Sequence, residues 1–273
     1  MANKPEKIKI YSENNDYQRV ETLKRNRLKR SKSGKFFVEG VNSINSLIEN
    51  KWKIDTFLYS NKKLSKWAKD ILANSTAKKH IEMPYSLLTK LSDKEDPSEL
   101  LALAEMKDGD LKRIKIKKDL FVVVIDRAAN PGNLGTILRS CDSFGVDAVI
   151  MTGHSVDLYD PKTIRASVGT FFSLPVIRLE SHKQLIPWIE NVKNKAGSFS
   201  VIGTTVKTNT LIKDFDFKFP LMLIIGNETH GLSNNYKQLC DDLVKIPIEG
   251  SASSLNVACA TSIFLYEIRN RLN

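Results

Sequence analysis

Cysteine is scarce in this 273-residue chain, and the three present, Cys141, Cys240 and Cys259, lie far apart with no C-x-x-C pair. A disulfide framework or a structural zinc cluster is therefore not expected, and the thiols read as the reduced cysteines of a cytosolic protein. Long hydrophobic runs are missing as well. The longest, Leu221 to Ile225, is far too short to span a bilayer, so no membrane association is expected. The N-terminus has basic residues but no apolar stretch behind them, as a secretory signal would need. Two nucleotide fingerprints are absent too. No G-x-x-x-x-G-K-[ST] occurs, and Pro131-Gly132-Asn133-Leu134-Gly135 has the wrong glycine spacing for a dinucleotide turn. These gaps argue against a P-loop nucleotidase and a nicotinamide oxidoreductase. The four histidines are scattered, with no H-E-x-x-H, and His230 beside a glycine turn reads as a surface loop residue.

What is present in excess is positive charge, and it is localised. The net charge is +11. Residues 1–118 carry 27 Lys/Arg against 16 Asp/Glu, whereas residues 119–273 carry 15 of each. Residues 1–35 alone hold eleven basic and four acidic side chains. Segregation of this kind implies a polyanionic partner gripped by the N-terminal part, where an even spread would imply only a solubilising surface.

Along the chain, residues 1–18 show no convincing period and are expected to be disordered or loosely packed. Tyr17 to Lys32 reads as a basic helix with Val20, Leu23 and Leu28 as a thin apolar stripe. From Phe36 to Met106 strand and helix patterns alternate as a compact α/β unit. Residues 109–118 are polar and charged and read as a linker. Beyond it come about six strand patterns with helices between them, which suits a mostly parallel sheet.

The second half is organised around Phe121 to Gly145. An apolar run of the kind buried on both sheet faces breaks at Asn130-Pro131-Gly132-Asn133 and resumes with helical spacing at Leu134, Ile137, Leu138 and Cys141. Open α/β sheets place ligands in such strand-to-helix turns. Two further polar turns follow buried strands, Gly226 to Leu232 and Gly250 to Asn256, and all three are rich in free main-chain groups. Each also has an ordinary explanation in helix capping, by Asn133, Glu228, and Ser253 or Ser254 respectively.

Three stretches, NPGNLGTILRSCDSFG with its preceding strand, LMLIIGNETHGLS, and VKIPIEGSASSLNVACATSIFLYE, resemble in order and separation the three motifs of the SpoU (TrmH-like, SPOUT) RNA ribose 2′-O-methyltransferases. FFVEGVNSINSLIEN and the α/β unit after it resemble the L30e-like RNA-binding domain that many members carry. The resemblance implies an α/β fold with a C-terminal trefoil-knot domain and a smaller N-terminal L30e-like domain. The expected division is a leader over 1–32, partly disordered or helical, an RNA-binding domain over 33–108, the linker over 109–118 and the catalytic domain over 119–273.

The same resemblance implies S-adenosyl-L-methionine as cofactor, RNA and not DNA as partner, a homodimer formed through the knotted domain, and cytoplasmic location. It places catalytic roles on Asn133, Arg139, Glu228, Ser254 and Asn256, and cofactor contacts on Thr204, Gly226, Ile246 and Leu255. Whether Arg139 removes the proton from the 2′-hydroxyl or clamps a neighbouring phosphate stays open, although a guanidinium has no acceptor. Ribosomal RNA is the expected substrate. Transfer RNA, and an RNA-binding protein without activity, are the alternatives.

Overall fold

The polar N-terminus is built into a sheet. In the computed structural model, which describes residues 4–271, Glu6–Lys9 form strand β1, pairing in parallel with β4 (Lys79–Met83) at the sheet edge. Asn14 caps α1 (Asn15–Arg25) by accepting from the Tyr17 N–H, and the helix buries Tyr17, Val20 and Leu23. The expectation of disorder over residues 1–18 is thus overturned from residue 6 onward, and residues 1–3 lie outside the described chain. The single basic helix expected over 17–32 is two. Asn26 turns extended, ends α1 and caps α2 (Arg27–Ser33), which closes at Gly34 in the left-handed region at φ 64°. Leu28, expected on the apolar stripe, falls on the outer face of α2 and is 72% exposed. Its place is taken by Arg30, whose guanidinium is buried and donates to the carbonyls of Leu23 and Lys24, the unpaired end of α1.

The rest of this first unit follows the alternation read from the sequence: β2 (Lys35–Glu39), α3 (Val41–Glu49), β3 (Ile54–Ser60), α4 (Lys66–Asn74), β4, α5 (Tyr85–Leu91) and β5 (Leu100–Glu105). The sheet order is β1-β4-β3-β5-β2, with β5 antiparallel to both neighbours. Tyr17, Leu23, Phe37, Leu58, Ile81 and Leu101 belong to the core that α1 and α5 close over the sheet.

The second unit begins earlier than expected. The stretch read as a linker packs into it: Ile114 is buried, and Leu111 and Ile116 lie against the same core. Then follow β6 (Phe121–Asp126), α6 (Pro131–Ser143) and β7 (Ala148–Thr152). Residues Tyr159–Ser173, carrying the short helices α7 (Pro161–Ala166) and α8 (Thr170–Ser173), group with the first unit, although they fall inside the stretch expected to be catalytic. There Tyr159, Phe171 and Phe172 stack with Phe36 and Trp52, and the Trp52 indole N–H donates to the Phe172 carbonyl at 2.9 Å. The second unit resumes with β8 (Val176–Arg178), α9 (Leu185–Ala196), β9 (Ser200–Thr204), β10 (Leu221–Ile225), α10 (Asn234–Leu239), β11 (Asp242–Val244) and α11 (Val257–Asn270).

Its six strands run in the order β11-β9-β10-β6-β7-β8, every pair parallel. The last strand, β11, stops at Val244, and Lys245 keeps only a single bridge to Leu211. Strands β6 and β10, the two continuous apolar runs, lie side by side at the centre, with Phe121 opposite Leu221 and Ile125 opposite Ile225. Both are fully buried. Because the register is parallel and in step, the turns that follow the two strands emerge together at one edge. This register places the site.

Candidate active site

At that edge the turn after β6 and the turn after β10 are joined by hydrogen bonds. Asn227 donates from its amide to the Arg127 carbonyl at 2.8 Å, and its own Oδ1 accepts from the Thr229 and His230 N–H groups. Glu228 accepts the Ala129 N–H with both carboxylate oxygens, at 3.1 and 3.3 Å. Asp126, buried at the end of β6, accepts from the Ser233 N–H and from the Arg127 guanidinium. One strand over, the Thr152 and Tyr236 hydroxyls meet at 2.6 Å, and burial pushes the Tyr236 phenol well above its ordinary pKa.

A cavity of about 370 Å³ opens between the ends of β9 and β10, the turn 226–232, the segment after β11 and the start of α11. All four residues expected to contact the cofactor, Thr204, Gly226, Ile246 and Leu255, line it, as do Glu228 and Ser254. Its walls combine apolar side chains (Ile225, Ile248, Val257, Phe264) with hydroxyls and main-chain groups (Thr205, Ser253). At Gly226 a Cβ would stand 2.4 Å from the backbone of Gly231 and Leu232, so only glycine permits the turn to close this tightly. A cavity of this size and mixed lining suits a small molecule with a flat base and a polar tail. S-adenosyl-L-methionine fits that description.

Asn133, Asn256 and Arg139 lie outside the cavity lining, and the first two are joined to each other. Asn256 caps α11, its Oδ1 accepting from the Ala258 and Cys259 N–H groups, and its amide nitrogen donates to Asn133 Oδ1 at 3.2 Å. Two asparagines 123 positions apart in sequence are thereby locked together. Arg139 is exposed on α6, and no described residue gives its guanidinium a hydrogen bond or an ion pair. The capping alternatives do not hold. Asn130, not Asn133, caps α6, accepting from Gly132 and Asn133 with Pro131 at the first helical position. Asn256, not Ser253 or Ser254, caps α11, and Glu228 stands at no helix start.

Sequence reasoning missed the Asp126–Arg127 pair. Its signal was a carboxylate closing a buried apolar strand, immediately followed by a cation. It also overestimated the free charge of the N-terminal segment. Of the eleven basic residues in 1–35, Lys9, Lys24, Arg25, Arg30 and Lys35 are already paired with carboxylates of the same unit. Arg19, Lys29 and Lys32 are among those that remain exposed.

The sequence pattern of the SpoU rRNA Methylase family matches residues 120–266, and that of the SpoU L30e-like domain matches residues 14–102. The 23S rRNA (uridine(2479)-2′-O)-methyltransferase of Streptomyces viridochromogenes is 41% identical over 272 residues, covering 98% of this chain and 94% of that protein. The Bacillus subtilis 23S rRNA (guanosine(2553)-2′-O)-methyltransferase RlmP is 26% identical, covering 93% and 94% respectively. Among solved structures, the SpoU methyltransferase AviRb of Streptomyces viridochromogenes in complex with AdoMet superposes with a TM-score of 0.88 at 40% identity, covering 95% of this chain and 99% of that one. An AdoMet-bound rRNA methyltransferase from Sinorhizobium meliloti gives 0.87 at 26% identity, covering 98% and 99%.

Proposed function

The chain belongs to the SpoU rRNA methylase family, and on that premise we propose how its residues divide the work of methylating RNA. The protein is an S-adenosyl-L-methionine-dependent RNA ribose 2′-O-methyltransferase with the α/β trefoil-knot fold and an L30e-like N-terminal domain. The observation that carries the reading is the convergence of all four expected cofactor residues on one cavity beside the Asn133–Asn256 pair.

The bound cofactor supplies an already activated methyl group on its sulfonium, so most of what remains for the protein is positioning. Thr204, Gly226, Ile246 and Leu255 hold it in the cavity, and Ser254, two residues before the α11 cap, lines the same cavity. The Asn256 acceptor is used up by the helix start, so its amide can only donate to Asn133, and this fixes the Asn133 side chain. Asn133 then presents its own NH₂ toward the ribose. Arg139, exposed and without a partner among the described residues, clamps the phosphate next to the target ribose and does not take the proton. Glu228, pinned by Ala129, keeps the two turns in register.

The substrate is ribosomal RNA of the large subunit, as for the relatives from Streptomyces and Bacillus. DNA is excluded because it lacks the reacting 2′-oxygen. The N-terminal unit holds RNA through exposed residues such as Arg19, Lys29 and Lys32. The working form is a cytoplasmic homodimer joined through the knotted domain, a role suited to the exposed Ile263 and Tyr266 of α11. No described helix is long and apolar enough to cross a membrane.

The test is a methylation assay with S-adenosyl-L-methionine on ribosomal and transfer RNA, followed by mapping of 2′-O-methyl sites. The counterpart of the uridine modified by the Streptomyces relative is the first position to inspect. The role of Arg139 is separable by pH. An acidic limb of the rate profile that stays in place in Arg139→Lys supports the clamp, and one that moves identifies Arg139 as the base.

A further inference from the structure

We propose that Arg127 is a positioning residue for the cofactor, acting through the main chain of the turn Asn227–Gly231 and not by touching the cofactor. Arg127 is held at φ 56°, in the left-handed region that long side chains avoid. Its backbone is committed on both sides, donating to the Thr152 carbonyl at 3.2 Å and accepting from the Asn227 amide at 2.8 Å. The side chain folds back across Gly153, where a Cβ would lie 2.9 Å from Arg127 Cγ. Two unusual backbone positions therefore cooperate to bring this guanidinium to one place.

What it does there is specific. Asp126, buried, receives Nε at 3.0 Å and Nη2 at 2.9 Å in a side-on fork. A buried carboxylate without such a partner is strongly unfavourable. The same Nη2 also donates to the Gly231 carbonyl at 3.2 Å, and Asp126 Oδ2 accepts the Ser233 N–H at 3.1 Å. The pair thus holds the outgoing arm of the turn at two points. Across the turn Asn227 and Gly231 exchange main-chain hydrogen bonds at 3.1 and 2.9 Å, so fixing Gly231 fixes Asn227 with it.

Asn227, Glu228, Thr229, His230 and Gly231 all line the cavity. Gly226 leaves no room for even a methyl against Gly231 and Leu232, so a small shift of the turn changes the cavity wall directly. The alternative, that Arg127 merely neutralises Asp126, predicts a different response to substitution. A lysine preserves the charge beside Asp126, but a single ammonium cannot hold both carboxylate oxygens and the Gly231 carbonyl in the fork geometry. A glycine removes the guanidinium while adopting the backbone conformation freely.

The experiment compares wild-type protein, Arg127→Lys and Arg127→Gly by calorimetric titration with S-adenosylhomocysteine, by steady-state KM for S-adenosyl-L-methionine and for RNA, and by thermal melting. The expected result for Arg127→Lys is a melting temperature like that of the wild type. Its affinity for S-adenosylhomocysteine should be roughly tenfold weaker, the weight of one hydrogen bond to a charged group, with a matching rise in the cofactor KM and no change in the RNA KM. Arg127→Gly should show at least the same loss of affinity. Unchanged affinity in Arg127→Lys overturns the proposal, and so does a loss shared equally between cofactor and RNA, which is general loosening. The inference rests on the methyltransferase reading. Wild-type protein that fails to bind S-adenosylhomocysteine would sink that reading, whereas wild-type binding with unaffected variants would sink only the role of Arg127.

Discussion

Both units cap helices with asparagines, Asn14 and Asn26 in the first and Asn130 and Asn256 in the second, but they differ in what else their polar residues do. In the first, long charged side chains pair with one another: Lys24 with Asp93 at 2.7 Å, Lys35 with Asp55 at 2.6 Å, Lys78 with Glu105 at 2.8 Å and Lys90 with Glu13 at 2.6 Å. In the second, short polar side chains immobilise main chain. Asn130 and Asn256 cap helices, Asn227 closes its own turn, and Asp147 and Asp241 accept the N–H groups of Phe121 in β6 and Val201 in β9. The first unit carries nine of the eleven excess positive charges and the second only two. The difference teaches that net charge locates a polyanion-binding unit but not its contact residues, because several cations are spent internally. Catalytic precision is instead built from side chains that hold backbone.

The sharpest way to break this comparison is to remove Arg139, the cation of the second unit proposed to clamp the RNA phosphate. Arg139→Ala is expected to slow single-turnover methylation by about 10²–10³-fold, as for loss of a group that acts on the reacting centre. S-adenosylhomocysteine affinity should stay the same, since Arg139 is not among the residues lining the cavity. A loss of cofactor affinity in this variant would merge the two groups of site residues into one.

In the charged unit, Lys35→Met should act on stability and not on chemistry. Burial pushes the Asp55 carboxyl up, but the hydrogen bond and charge of Lys35, with help from the Thr56 hydroxyl, outweigh it and hold the pKa below the ordinary aspartate value. The wild-type contribution is therefore present above the unfolded-state pKa and is lost as pH falls through the depressed folded value. Removing Lys35 should cost about 2–3 kcal/mol, at or below the low end for a broken buried pair, because Lys78 stands 4.0 Å away. It should also lift the Asp55 pKa, so that the variant loses less stability than wild type on acidification. Urea unfolding at two pH values measures both.

Gly226→Ala is smaller in scope. Overpacking the closed turn should cost about 1–3 kcal/mol, read as weaker S-adenosylhomocysteine binding with a folded first unit. The mildest change is the triple substitution Arg19→Gln, Lys29→Gln and Lys32→Gln. It should weaken RNA binding and flatten its salt dependence by about 2–3 in logarithmic slope, without affecting cofactor affinity. An unaltered slope would move the RNA-binding surface elsewhere on the unit.

Much of the fold was legible where burial is continuous. The runs Phe121 to Ile125 and Leu221 to Ile225 read as central strands and are central strands. The helix over Val41–Glu49 and the segments at Lys79–Met83 and Tyr85–Leu91 follow their periodicity closely. Strand β1 was not legible because an edge strand exposes charged residues such as Lys7 and Lys9 and buries little. Likewise α10 offers only Tyr236 as a buried residue in a polar six-residue stretch. The grouping of Tyr159–Ser173 with the first unit is a long-range choice made by Phe36 and Trp52, which no local pattern can signal.

The site divides in the same manner. Its turns were legible as polar breaks after buried strands. Their residue roles came from family resemblance, because the contact between Asn133 and Asn256 spans the whole unit. Cutting the chain near residue 110 would leave Phe171 and Phe172 without the core that buries them, so point substitutions separate the two units more cleanly.

The central claim is that the cavity and the asparagine pair beside it deliver a methyl group to a ribose 2′-oxygen of large-subunit ribosomal RNA. Its most direct test is incubation of the full-length protein with S-adenosyl-L-methionine and unmodified ribosomal RNA, with nucleotide-resolution mapping of 2′-O-methylation. The account predicts one new 2′-O-methylated nucleotide in the large-subunit RNA, absent with Arg139→Ala. A methyl group found on a base, or found only on transfer RNA, would contradict it.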